Sequence, residues 1–457
     1  MSGKPNKLSD YWQHWRPYTP SKDAPWDQRR VVHLHRRAGF AATWSEIQRD
    51  LKDGPKASID RLLAGQSRMQ GVPTEFEQTA SLLLDTAMDP GRLKAWWIYR
   101  MFFGPDPLGE RLTLMWHNHF ATSAAKVRDL GVMRRQNELF RTLGRKPFRE
   151  LLDAAVHDPA ILIWLDAPAN RKEHPNENLA RELMELFTLG IGHYSEKDVK
   201  ESARALTGWS VADGRFREDD AQHDSGVKTI LGRKGAWKGA DFVHFVLEHP
   251  ATSERLAWRL CELLMGENTV DAPAIKALAA GLREHQLDIG WGVETVLRSQ
   301  AFFAESNLGN RIVGPVEYVV GTGRALETFE SPPSTLLLAD WAARLGQDLF
   351  YPPNVGGWNG GRAWISTQAM IGRANFAIAL VEGALSRRGE AFDPLELAMR
   401  HGHRGGLDDV LAFYGQLLEG VAPPEARRKR LLAALGIRPD PRRAVALMLA
   451  APEYQLA

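Results

Sequence analysis

Residues 174–190, HPNENLARELMELFTLG, carry more carboxylate and amide groups than a plain amphipathic helix needs. On a helical wheel of about 100° per residue, Leu179, Ala180, Leu183, Met184, Leu186 and Phe187 share one side, and Glu177, Asn178, Arg181, Glu182, Glu185 and Thr188 the other. Glu177, Arg181 and Glu185 recur every fourth residue, so one guanidinium can bridge two carboxylates. Pro175 suits the first turn, and early acids suit the positive end of the helix dipole. A solvated face satisfies all of this. A face covered by the rest of a large protein is the alternative, and there the carboxylates must be paired or bound, because unpaired burial costs several kcal/mol. In that case Glu177, Arg181, Glu182 and Glu185 become acid/base, metal-binding or anion-orienting groups.

Three other fragments could work with this helix. WHNHF, residues 116–120, sets His117 and His119 two apart, which is one face of a strand but nearly opposite faces of a helix. They can share a metal only if the helix that starts near residue 108 ends before them; otherwise one is packed and one exposed. QHDSG, residues 222–226, places His223 beside Asp224 on a loop, either for acid/base work or as an Asx-type turn before Gly226. QDLFYPPNVGGWNGGRAWIS, residues 347–366, brackets Trp358 and Asn359 with paired glycines and follows them with Arg362 and Trp364. Glycines allow close backbone approach, and Trp, Asn and Arg together suit a sugar or small anion; a packing corner is the plainer reading. HExxH, GxSxG, GxxxxGK[ST] and CxxC do not occur, which removes the usual support for zinc-protease, serine-hydrolase, nucleotide-loop and thiol-redox chemistry.

The elements that must position these groups are mainly helical. From about residue 42 apolar residues recur with a helical period broken by Gly and Pro, as in the capping-box segment TWSEIQRDLKDGP, which ends at Gly54-Pro55, and in PTEFEQTASLLLDTAM, PGRLKAWWIYRMFFG and PLGERLTLMWHNHF. The pattern fails at 208–240, which predicts a small β-hairpin on a long loop, and again at 347–366. No period of 20–50 residues recurs, and no low-complexity linker divides the chain. The expectation is therefore one large irregular helical domain, residues 42–457, with residues 1–41 as an N-terminal extension packed on it.

Lys plus Arg number 58 and Asp plus Glu 56, a formal charge of +2, so no basic excess points to nucleic acid. Neither a signal-peptide pattern at the N-terminus nor a run of about 18 apolar residues is visible, and the chain as written reads as cytoplasmic. The single cysteine, Cys261, lies in an apolar helical pattern and reads as core. Of the 15 tryptophans, Trp96, Trp97 and Trp164 read as core, whereas Trp209, Trp358 and Trp364 sit among glycines and polar groups.

The stretches VVHLHRRAGFAATWSEI, WHNHFATS, PNENLARELMELFTLGIGHYSEKDVKESARALTGW, HDSGVKTILG and PPNVGGWNGGRAWIS together resemble the bacterial family named domain of unknown function 1800 (DUF1800). The resemblance runs in order over nearly the whole chain. It places His117, Asn118, His119, Asn176, Glu177, Asn178, Arg181, Glu182, Glu185, Tyr194, Trp209, His223, Asp224, Asn354, Trp358 and Arg362 within family motifs, which favours a site over a solvated face. It further implies an envelope or periplasmic location and a sulfatase-like (DUF1501) partner.

The leading expectation is a hydrolase-type enzyme, with a divalent metal as an optional cofactor, acting on a polar, glycosylated or sulfated substrate. Its acid/base groups would be Glu177, Glu182, Glu185, His223 and Asp224, with Arg181 orienting an anion. Asn176, Asn178, Trp209, Asn354, Trp358, Arg362 and Trp364 would bind the ligand, and His117 and His119 a metal. The alternative is a non-catalytic accessory protein for the sulfatase-like partner. A heme or di-metal oxidoreductase is a third reading, lowered because the motif helix has no ExxH pair.

Overall fold

The computed structural model describes residues 12–65, 74–82, 84, 89–386, 388–437 and 439–457. The second half of the segment read as a helix from Pro73 to Met88 therefore lies largely outside the described residues. The chain is mainly α-helical, and the helices that position the site are, in chain order, α1 (Gln28–Ala38), α2 (Trp44–Leu63), α3 (Pro90–Phe103), α4 (Pro107–His119), α5 (Asn178–Glu182), α6 (Glu196–Ala205), α7 (Pro250–Leu264), α8 (Pro315–Ala325) and α9 (Thr367–Val381).

Helix starts follow local chemistry. The capping box read from Thr43 and Glu46 is present, with the Glu46 amide donating to Thr43 Oγ1 at 3.2 Å and the Thr43 amide to Glu46 Oε2 at 2.9 Å. The break expected at Gly54-Pro55 is a kink inside α2: Gly54 takes φ +84°, and Pro55 restarts the helix. At α4 the Asp106 carboxylate accepts from the Gly109 amide and Pro107 occupies the first turn.

Two hydrophobic clusters form the interior. One gathers Trp116, Phe120, Phe148, Phe187, Val246 and Phe302; the other gathers Trp96, Trp97, Phe102, Tyr318, Phe376 and Tyr414. Trp164 is partly buried and packs against both. Helix α1 contributes Leu34 and Ala38 to the first and Val31 and Val32 to the second. Cys261 is buried, as read, and burial pushes its thiol well above the usual range.

Segment 208–240 contains two antiparallel hairpins rather than one. Strands β1 (Trp209–Ala212) and β2 (Arg215–Glu218) pair Trp209 with Glu218, and β3 (Lys228–Ile230) and β4 (Arg233–Gly235) pair Lys228 with Gly235. Each turn has two residues of positive φ, Asp213-Gly214 and Leu231-Gly232, the backbone that two-residue hairpins require.

Candidate functional site

The second glycine-rich segment folds over the side of α4 and leaves a cleft of about 280 Å³. Asn118, in the last turn of α4, ties the loop down through both ends of its carboxamide. Its Oδ1 accepts from the Trp358 amide at 2.6 Å and its Nδ2 donates to the Trp358 carbonyl at 3.3 Å. Gly357 has φ +77°, and a Cβ there would fall onto the Asn118 carboxamide and carbonyl. Gly361 has φ +48°, and a Cβ there would fall onto the Glu267 carboxylate. Gly357 is thus fixed by close approach and by backbone sign, and Gly361 by backbone sign, since the exposed Glu267 side chain can move aside.

Trp358 and Trp364 are 5% and 9% exposed and line the cleft with Arg362. Beneath them α4 supplies Arg111, Met115 and Asn118, α7 supplies Arg259 and Glu262, and Arg311, Glu317 and Glu267 complete the walls. Glu317 lies at the centre of the charge: it pairs with Arg111 Nη1 at 2.6 Å and with both terminal nitrogens of Arg311. These guanidiniums outweigh the burial penalty and hold its carboxyl down at about 2. Glu262 goes the other way. Burial, then the neighbouring Glu267, raise its carboxyl above the ordinary range.

Helix α4 runs through His119, so the two histidines leave it on nearly opposite sides. His117 packs among Trp97, Phe350 and Trp358, with ring centroids 5.3, 5.3 and 5.8 Å away. Neither of its ring nitrogens has a hydrogen-bond partner among the described residues, and burial pushes it down to about 3. His119 lies in the other cluster, with Nε2 3.1 Å from the Phe187 carbonyl. The expectation of one packed and one exposed ring is corrected, since both are buried, and the structure does not bring them together on one ligand. Among the described residues no group of three or more His, Cys, Asp or Glu side chains is arranged to hold a metal ion.

None of the motif-helix residues lines this cleft. Helix α5 ends at Glu182 and gives way to a π-helical turn, Leu183–Thr188, which alters the every-fourth-residue spacing. The bridge expected from Arg181 to Glu177 and Glu185 therefore forms to Glu177 at 2.9 Å and to Glu196 of α6 at 2.8 Å instead. Glu185 accepts from the Tyr194 hydroxyl at 2.7 Å. Glu182 makes no hydrogen bond among the described residues, and burial followed by Glu185 raises its carboxyl.

The asparagines of the motif lock its lead-in. Asn176 Oδ1 accepts from the Asn178 amide, and the Asn176 amide donates to Asn170, whose Nδ2 reaches the Ala203 carbonyl. Asn178 Nδ2 donates to Asp166 at 3.3 Å. Asp224 accepts from Arg204 at 2.7 Å, which holds it low, and also from the Gly226 amide, the Asx turn foreseen in its sequence. His223 Nδ1 is 3.0 Å from the Thr207 carbonyl. Trp209 is 3% exposed and packs on His157 and Phe216, and Asn354 is exposed and caps its own turn through the Gly356 amide. The predicted residues thus divide: Trp358, Arg362 and Trp364 share the cleft; Asn176, Asn178, Trp209 and Asn354 do not.

Sequence reasoning missed Arg111, Arg259, Glu262, Glu267, Arg311 and Glu317. Two signals were present. Arg111 and Asn118 are seven apart, hence on one face of α4, and Glu317 is a lone acid in the apolar run PVEYVVG. Nothing in the sequence joins α7 to the loop.

The chain matches no curated protein and no solved structure. Residues 33–456 match the family described as a protein of unknown function (DUF1800), and the chain belongs to that family.

Proposed function

We propose that the protein is a hydrolase-type enzyme that takes a polar, glycosylated substrate into the cleft between α4, α7 and the glycine-rich loop. The observation that carries this reading is the placement of two glutamates in unlike surroundings along one cleft. Glu262 is half-buried and raised by burial and by Glu267, whereas Glu267 is exposed at the rim. Environments that separate two carboxylates in this way assign their roles. Glu262, made the weaker acid by its surroundings, donates a proton to the departing oxygen; Glu267, at the rim, either activates water or stabilises the positive charge that develops on the sugar ring. Trp358 and Trp364 form an apolar edge of the cleft, and Asn118 holds the loop that carries them in place. The competing acid/base position is Glu182 with Glu185 on the motif helix.

The test is release of reducing ends or chromophore from a panel of aryl glycosides and soluble glycans, by the wild type and by Glu262→Gln, Glu267→Gln and Glu182→Gln. Loss in the first two with retention in the third is the expected result. Turnover that survives Glu262→Gln removes the assignment, and turnover lost only in Glu182→Gln moves the chemistry to the motif helix.

A second reading is a non-catalytic accessory protein for a sulfatase-like partner. It is favoured by Ile365, Ile371 and Ile378, which stand 45%, 58% and 44% exposed at and just after the glycine-rich loop. A stable complex with such a partner, together with no turnover by the wild type, would select it. No helix among the described residues is long and apolar enough to cross a membrane.

A further inference from the structure

The cleft has more cationic groups on its inner walls than its one inner carboxylate can neutralise. Arg111 is 1% exposed, and after pairing with Glu317 its Nε and Nη2 have no hydrogen-bond partner among the described residues. Arg311 leaves Nε unpartnered after using the same carboxylate. Arg37, fully buried behind them, spends its terminal N–H groups on the Leu264 and Asn307 carbonyls and on Asn310, and faces Arg111 and Arg311 across the same region. Each such group is a strong donor, and an anion in the cleft would bring acceptors to a wall whose one paired carboxylate is already shared by two guanidiniums.

Arg259 points to the same conclusion independently. It lines the cleft from α7 and makes no ion pair or hydrogen bond among the described residues, and its Nε is buried without a partner. One turn earlier Arg255 stacks on Trp258, and no acid among the described residues pairs with it. Like charges four apart on a helix repel, and burial with this repulsion pushes Arg259 down to about 10. Glu262 attracts both arginines, but neither has a direct ionic partner among the described residues.

We infer that the inner arginine wall is a subsite for an oxyanion carried by the substrate, a carboxylate, sulfate or phosphate ester gripped by Arg111, Arg259 and Arg311. This inference rests on the cleft being the substrate site. The planar guanidinium fork matches such oxygens and loses little hydration in doing so. Arg362, exposed at the mouth, draws an anion in, and Glu317 fixes Arg111 and Arg311 in position. Of the two remaining carboxylates, Glu262 tends toward its neutral form and Glu267 is at the rim, so neither cancels the inner charge. A cation would face the same arginines and is disfavoured. The subsite selects an acidic sugar or an acid-substituted one over a neutral sugar.

The experiment is isothermal titration of the full chain with sodium sulfate, sodium phosphate and sodium glucuronate, against sodium chloride at matched ionic strength, for the wild type, Arg259→Gln and the surface control Arg428→Gln. Saturable binding of at least one oxyanion and none of chloride is expected, weakened about tenfold or more in Arg259→Gln and unchanged in Arg428→Gln. The preferred anion identifies the acid. Thermal melting adds a second readout: without anion Arg259→Gln melts at or above the wild type, because an unpaired charge is gone, and it loses the upward shift that the anion gives the wild type. Absence of saturable binding, or binding indifferent to Arg259→Gln, overturns the subsite. Its failure is separable from that of the hydrolase reading. Anion binding without turnover leaves the subsite standing alone, and turnover of neutral glycosides with no anion binding leaves the chemistry without the subsite.

Discussion

The motif helix and the cleft each hold a pair of glutamates in which one acid is raised by burial and by the other. Glu182 and Glu185 stand three apart across a π-helical turn, beside an Arg181 that two acids, Glu177 and Glu196, already neutralise. Glu262 and Glu267 stand five apart across the end of α7, facing arginines that one acid leaves undersupplied. The first region has its one arginine fully paired and its remaining acids partly open to solvent; the second has an excess of cation in a walled space. Density of polar residues in a sequence therefore marks where charges were brought together, while an imbalance among buried charges marks where something is still to bind.

The largest effect that can break this comparison is on rate. Glu262→Gln should lower turnover by about 10²–10⁴-fold, the usual contribution of a positioned acid, and Glu182→Gln by far less. Because Glu262 acts with its proton on, the rate should fall as pH rises through its raised value, giving an alkaline limb above the ordinary glutamate range that Glu262→Gln abolishes.

Stability separates the regions next. Glu317→Gln leaves Arg111 and Arg311 without their counter-charge and should cost about 3–5 kcal/mol by urea unfolding at neutral pH. Glu177→Gln, at a partly exposed pair, should cost under about 1 kcal/mol. The Glu317 contribution has a definite sign with pH: its folded value is depressed to about 2, so the stabilisation is complete above the unfolded value of 4.5 and is lost as pH falls from there toward 2.

Gly357→Ala and Asn118→Ala should each cost about 1–3 kcal/mol, the first by strain at positive φ and a clash, the second by leaving the Trp358 amide unpaired; both should loosen the loop. Limited proteolysis near residue 358 would report that loosening, and an unchanged cleavage pattern would separate the loop from Asn118.

His117→Leu should have the smallest effect at neutral pH, within about 1.5 kcal/mol, because no hydrogen bond is lost. Its consequence lies in acid. The folded His117 titrates near 3 and the unfolded one near 6.5, so the unfolded chain binds the extra proton and the wild type loses about 1.4 kcal/mol per pH unit between those values from this residue. A urea midpoint measured against pH should be flatter in the variant by that amount. An equal slope would mean that His117 is charged or solvated in the fold.

Much of the fold was legible because it is local. The capping box at Thr43, the start at Pro107, the failure of helical period at 208 and 347, and burial of Trp96, Trp97 and Cys261 follow from neighbours in sequence. The two hairpin turns were written in Asp213-Gly214 and Leu231-Gly232, but only one hairpin was expected, since three- and four-residue strands give little alternation to count. The wheel drawn through the motif helix misplaced Glu185 because a π turn is set by what packs around it and has no periodic signature.

The site was legible only in part. Composition and spacing determined that the chain is helical, that two glycine-rich segments interrupt it, and that Trp358, Arg362 and Trp364 sit together on one of them. Tertiary structure alone decided which charges meet. Arg111, the pair Arg259 and Glu262, and the pair Arg311 and Glu317 come from three distant segments, and of these only Glu317, alone in an apolar run, stands out within its own element. Charge balance in a buried space depends on separations and on exclusion of water, and a linear sequence encodes neither until the chain has closed around them.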